Sequence, residues 1–416
     1  MSNFRINIYL SLIVFFKSLV NPDIKEKKIE VLIRKNSQKK YFTLTSQLRV
    51  SFLILLKYLK KKFPDKNEII FQPFNLPEMV NIAVKNKYKI KFKKLNTETG
   101  QPDLKYLNSI INKKTVAVII TNIFISPNSI LLIKNICKKK KILLIEDNAI
   151  YFDNFFIQNR KRRFSGSFGD YTLYSFNIMK NISSFFGGGI ATNDNHFKFF
   201  AEKELLKYDN FHKLILFKQI IIFFFLKILK LNFFYYFFLK ILKYSHSKKM
   251  LSILKIVYPS MKFKKINFPN YYFTKISTIS KKTTISQLQN SDARKKNHLI
   301  RKNNNIFYFK LFKNLKIKQI KLFPIDNYDF QNFMDFPIVV EKKNQLNDYL
   351  LFHGIETKYI FYHDCAKIFD TKSKKEILSN SSFFSDKVIG LPNHINISQN
   401  YMKKIGRKVQ EFYETN

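Results

Sequence analysis

Residues 142–150 read ILLIEDNAI, and residues 166–194 read GSFGDYTLYSFNIMKNISSFFGGGIATND. The first is a short continuous apolar run that ends on two carboxylates, Glu146 and Asp147. A run of that length without polar alternation is the mark of a strand buried on both faces. Its carboxylates therefore stand at the C-terminal edge of a parallel sheet, where α/β proteins place their ligands. A carboxylate there serves either as a helix cap or as the partner of a cationic ligand. The second stretch holds a strand over Tyr171–Phe176, which delivers Ser175. Lys180 follows five residues on, and then come Gly187, Gly188 and Gly189. Three of the nine glycines of the chain in one run mark a place where backbone approaches a ligand or another strand closely.

Working outward, short apolar runs recur at Glu68–Phe71, Thr115–Thr121 and Ile142–Ile145. Asn128–Lys139, after Pro127, reads as a helix closed by lysines. Strands joined by such crossovers predict a mostly parallel α/β sheet covered on both faces. Residues 200–300 read as helical, and Lys281–Asn305 is polar enough to be either helix or connector. From about Ile306, short alternating segments and a last amphipathic helix near Asn400–Tyr413 predict a smaller α+β domain. The expected organisation is a large α/β domain over 1–205, an apolar helical insertion and connector over 206–300, and a small domain over 301–416.

The chain has 416 residues, 46% of them apolar, with 74 Lys+Arg against 29 Asp+Glu and a formal charge of +45. That much apolar material excludes a wholly disordered chain. The excess of Lys, Asn, Ile and Phe together fits A/T-rich coding, and the lysines form no stripe interleaved with aromatics. A nucleic-acid partner is therefore not expected. Cys137 and Cys365 cannot build a disulfide framework or a thiolate metal site, and no metal is expected. The apolar stretch Ile8–Phe16 lacks a small-residue cleavage site and reads as an ordinary helix. Residues 214–242 hold uncharged runs at Gln219–Leu226 and Leu231–Leu239, too short to span a bilayer alone. They read as helices packed on the protein body or a partner subunit, with a possible face for a membrane surface; an inserted span is the alternative.

The order Glu146-Asp147, Gly166 to Asp170, Ser175-Phe176, Lys180-Asn181-Ile182, Gly187-Gly188 and Thr192-Asn193-Asp194 resembles the DegT/StrS-type sugar aminotransferases. These use pyridoxal phosphate (PLP) on a fold-type I aminotransferase scaffold. The likeness extends to Asn67–Ile70, Phe74–Pro77, Thr99–Asp103, Gly354–Thr357 and Leu391–Asn393. It implies that Lys180 carries PLP covalently and moves protons, and that Asp147 faces the pyridine nitrogen. It implies that Ser175 bonds the phosphate, that Ser46, in Thr45-Ser46-Gln47, helps hold it at a helix start, and that Phe74 stacks on the ring. Tyr359 and His363 fall near the family's small-domain substrate segment. The implied reaction moves an amino group from an amino acid, glutamate being the expected donor, to a nucleotide-linked keto sugar for surface polysaccharide, lipopolysaccharide or related synthesis. A cytoplasmic homodimer is implied, with room for peripheral inner-membrane contact through 214–242. The related PLP-dependent sugar dehydratases characteristically replace the lysine by His, against which Lys180 argues. The chain departs from the family pattern at Ile150, at Phe185-Phe186 and at the lost glycine of the phosphate loop. Those departures leave room for a non-catalytic descendant.

Overall fold

The computed structural model describes residues 8–20, 26–158, 160–229, 231, 233–237, 268, 270–324, 334–358, 363–369 and 375–415. Its strands, in chain order, are β1 (Tyr41–Thr45), β2 (Glu68–Phe71), β3 (Phe74–Asn75), β4 (Lys89–Phe92) and β5 (Thr115–Thr121). Then follow β6 (Leu143–Asp147), β7 (Phe155–Gln158), β8 (Lys161–Phe164), β9 (Tyr171–Ser175) and β10 (Gly188–Thr192). The C-terminal part adds β11 (Ile320–Lys321), β12 (Asp335–Val340), β13 (His363–Asp364) and β14 (Val388–Pro392).

The central sheet has seven strands in the order β1-β10-β9-β6-β5-β2-β4. From β9 to β4 all pairs are parallel, while β10 runs antiparallel to both β9 and β1. The expected mostly parallel sheet is thus present. All seven residues of β5 are buried, which is why this strand shows no polar alternation. Its crossover helix, Pro127–Lys139, has proline in its first turn. Ser126 Oγ caps it by accepting from Ser129 N–H, and it closes on Lys138 and Lys139.

A second core belongs to the C-terminal sheet β11-β12-β14 and the helices Ser291–Leu315 and Gln399–Thr415. One expectation is corrected here. Residues 306–315 are not a short alternating segment but the end of the 25-residue helix Ser291–Leu315. Its inner stripe carries His298, Arg301, Asn305, Tyr308 and Phe312 at three- and four-residue spacing. Three of those five are polar, so the stripe is invisible to apolar periodicity. The two cores meet at β3, which pairs antiparallel with β13.

A third cluster joins the N-terminal helix Leu12–Val20 to the helix Lys213–Ile228. Phe15 sits between them, 5.4 Å from Phe223 and 5.6 Å from Phe224 by ring centroids. Residues 214–229 therefore pack on the protein body. Residues 238–242 of the expected apolar stretch lie outside the described residues. Among the described residues, no helix is long and apolar enough to cross a membrane.

Candidate active site

The two carboxylates at the end of β6 have different tasks. Glu146 turns into the loop 165–169 and accepts three backbone N–H groups, from Gly166 at 3.0 Å, Phe168 at 2.7 Å and Gly169 at 2.5 Å. Burial pushes its pKa up and those N–H groups oppose the rise. Gly166 has φ +90°, and a Cβ there would lie 2.7 Å from the Tyr174 hydroxyl. No other residue fits that turn without a clash. Asp170 closes the loop onto β6 by accepting from Leu144 N–H at 2.8 Å. The Gly-x-x-Gly-Asp stretch is thus a clamp that fixes the strand end presenting Asp147.

Asp147 is buried at 3% exposure. Its Oδ1 accepts from Ala149 N–H at 3.1 Å. Burial pushes its carboxyl up, and the charges of Lys180 and Arg49 hold it down. Lys180 is set on a loop anchored at both ends. Its own N–H donates to Asn177 O at 2.9 Å, and its carbonyl accepts from Ser183 Oγ at 2.9 Å. Asn181 donates to Ile150 O at 2.9 Å and accepts from Arg301 at 2.6 Å. Gln287 then brackets Ser183 through both its N–H and its carbonyl.

Burial pushes the Lys180 amine below the ordinary lysine range; Lys358 adds to this and Asp147 opposes it. A lysine with depressed proton affinity is the form in which an amine acts as nucleophile and base. Lys358 acts on the site from the C-terminal part of the chain, with its backbone paired to Gly390 and its amine 3.5 Å from Asp335. Lys358→Gln removes a neighbouring positive charge, so the basic group of the pH–rate profile should move to higher pH; an unmoved profile would mean that Lys358 does not act on Lys180.

Ser46, Gln47 and Ser175 are brought together by the glycine run. Ser175 faces Gly188 across the β9–β10 pair, and Gly187 bridges to Gln47. A Cβ on Gly188 would lie 2.1 Å from Leu48 N, and one on Gly189 2.1 Å from the Phe42 ring. The glycines are there because β10 crosses the start of the helix Leu48–Lys62 at backbone distance. Ser46 Oγ and Gln47 Nε2 in this region, and both amide atoms of Gln72 at the end of β2, are buried without a hydrogen-bond partner. Orphaned buried donors are costly unless a ligand satisfies them, and the first N–H groups of a helix favour an anion. These residues fit the phosphate of PLP, and Lys180 with Asp147 fit its reactive end.

Phe74 is placed elsewhere than a ring-stacking role would suggest. Its ring is fully buried, stacked on Phe124 at 6.3 Å and tilted against Phe384 at 5.7 Å. His363 pairs with Asn75 at the junction of the two cores, and Tyr359 lies outside the described residues. The departures from the family pattern have local explanations. Phe185 packs on Phe15 and Phe223, and Phe186 on Phe211, filling the seam beneath the two apolar helices. Ile150 is half-buried and packs on the second core. Sequence reading missed Gln72, Arg49, Lys358 and Asp335. One lysine or arginine among 74 Lys+Arg carries no signal, and Gln72 has no motif around it.

Residues 25–205 match the DegT/DnrJ/EryC1/StrS aminotransferase family. The resemblance drawn from the sequence is borne out over this stretch, which contains Ser46, Gln72, Asp147, Ser175 and Lys180. A UDP-4-amino-4,6-dideoxy-N-acetyl-beta-L-altrosamine transaminase of Helicobacter pylori is 26% identical over 165 residues, or 39% of this chain and 43% of that protein. Helicobacter pylori PseC, an aminotransferase involved in the biosynthesis of pseudoaminic acid, superposes with TM-score 0.68 at 15% identity over 100% of both chains. The GDP-4-keto-6-deoxy-D-mannose-3-dehydratase of E. coli superposes with TM-score 0.68 at 17% identity, covering 98% of this chain and 100% of the other. These likenesses show the fold of the fold-type I aminotransferases, which aminotransferases and dehydratases share.

Proposed function

We propose that the DegT-type chain is a PLP-dependent aminotransferase acting on a nucleotide-linked keto sugar, with an amino acid such as glutamate as donor. The observation that carries this reading is the meeting of Lys180 and Asp147 beside the orphaned donors of Ser46 and Gln47. Lys180 would hold PLP covalently, Asp147 would face its ring nitrogen, and Ser46, Gln47 and Ser175 would hold its phosphate. When bound, PLP withdraws electrons from the carbon that carries the amino group, so that a proton can leave it. The Lys180 amine is the base at hand for that proton, and the depressed affinity of its Nζ lets it take the proton and give it back. Asp147, held negative by Lys180 and Arg49, supplies a fixed charge in a water-poor site. Donor and acceptor use one site in turn, so ping-pong kinetics are expected. We extend the reading to a cytoplasmic homodimer in surface polysaccharide or related sugar synthesis, held peripherally at the inner membrane.

Two features support amino transfer over dehydration and over a non-catalytic role: a lysine at position 180, and polar atoms at the helix start left for a ligand. The test is direct. Protein loaded with PLP should be yellow, and borohydride reduction followed by peptide mapping should leave the tag on Lys180. A tag on any other lysine would sink the assignment.

A further inference from the structure

The apolar seam above the Lys180 loop has an outer side. On the helix Lys213–Ile228, the inner residues Phe223 and Leu226 are buried. On the opposite side, Leu214, Phe217, Ile221, Phe225 and Ile228 form a stripe at three- and four-residue spacing, all exposed, with Leu214 at 83% and Phe217 at 62%. The helix is apolar on both sides, and among the described residues only one side is packed against the chain. The N-terminal helix extends the face. Ile13 is 68% and Phe16 53% exposed, and the Phe16 ring lies 6.5 Å from that of Phe224. Between these helices and Thr278–Gln289 lies a cavity of about 590 Å³ whose lining includes Leu19, Phe211, Leu216, Ile276 and Lys282.

Charge decides what covers this face. From residue 210 to residue 291 the chain has fifteen lysines and no acidic residue, and residues 1–22 have Arg5 and Lys17 with no acid. Lys213 and Lys218 stand exposed beside the stripe. Lys227 is turned inward instead, donating to Ile8 O at 3.2 Å. A two-fold contact between copies would lay this patch on itself, lysine facing lysine, and like charges in apposition oppose association. Exposed Phe, Ile and Leu flanked by lysines, with no acid, match a surface that is apolar beneath and anionic on top. At 16 residues the helix is about 24 Å long, short of the hydrocarbon thickness of about 30 Å. It can therefore lie on a bilayer but not cross it.

We propose that the face formed by Leu12–Val20 and Lys213–Ile228 docks on an anionic lipid bilayer, with Phe217, Ile221 and Phe225 entering the headgroup boundary and Lys213 and Lys218 meeting the lipid charge. This names the surface behind the peripheral placement offered above and does not depend on the amino-transfer reading, because vesicle binding is read without turnover. Flotation of the full-length protein tests it. The protein should rise with phosphatidylcholine vesicles carrying phosphatidylglycerol, and on the order of tenfold less with phosphatidylcholine alone. Added salt should weaken the binding. The pair Lys213→Glu and Lys218→Glu, both outside the core, should weaken it by on the order of tenfold or more with an unchanged melting temperature. Phe217→Ser with Ile221→Ser should abolish it. Equal flotation of the parent and the charge-reversed pair, or no flotation of the parent, overturns the proposal. A dimer cross-linked through Phe217→Cys also overturns it, since a second copy would then occupy the face.

Discussion

Lys180→Ala is expected to leave a folded protein whose turnover falls by on the order of a thousandfold or more, a loss of about 4 kcal/mol of transition-state stabilisation. The size follows from the two tasks placed on one amine, attachment of the cofactor and proton movement. The fold should survive, because the loop is held by groups other than this side chain. Asn177, Asn181, Ser183 and Gln287 anchor its backbone and its neighbours. Removing the amine also removes a positive charge that holds the buried Asp147 carboxyl down. Arg49 remains, so Asp147 is not left without a cation. Small primary amines added to the variant should restore part of the turnover, which loss of structure would not allow. Full activity in Lys180→Ala would show that the chemistry belongs to another group.

Much of the parallel half of the sheet was legible in the sequence. β5 is a seven-residue apolar run buried at every position, and the helix after it carries its own signals in Ser126, Pro127 and the closing lysines. The glycine run was legible as a close approach, but its partner was not. Nothing near residue 188 announces the start of a helix 140 residues earlier, and only the folded chain brings Gly188 against Leu48. The helix Ser291–Leu315 was hidden for a different reason. Its inward residues make polar contacts: Arg301 to Asn181, Asn304 to Asn393 and Asn393 to Asn305. Apolar periodicity detects burial only where burial is apolar.

The site divides in the same way. Lys180 and Asp147 stand in ordered motifs, and the order and spacing of those motifs suffice to name them. Arg49 and Lys358 shape the charge around them, yet in a chain with this many lysines and arginines neither had a mark. Phe74 had a motif position, but its ring goes into an aromatic stack, because the junction of two cores needs apolar volume there. The orphaned atoms of Ser46, Gln47 and Gln72 are a signal that only side-chain placement can give.

Asp147→Asn is the sharpest test of the remaining assignment, because it removes charge and little else. The amide oxygen of asparagine can accept the Ala149 N–H as Asp147 Oδ1 does, so a mere cap would be replaced at almost no cost. A carboxylate that holds a proton on the cofactor nitrogen has no such substitute. Turnover is therefore expected to fall by about a hundredfold or more, with a much smaller loss of cofactor affinity, since Ser46, Gln47, Ser175 and Lys180 remain. The pH dependence should move as well, and its sign is fixed. Asp147 raises the proton affinity of Lys180, so losing its charge lowers that affinity further. The basic group in the pH profile should then appear at lower pH than in the parent, opposite to the shift expected for Lys358→Gln. Turnover near the parent's with an unmoved profile would make Asp147 a turn residue at the end of β6, and the nitrogen partner would have to be sought elsewhere.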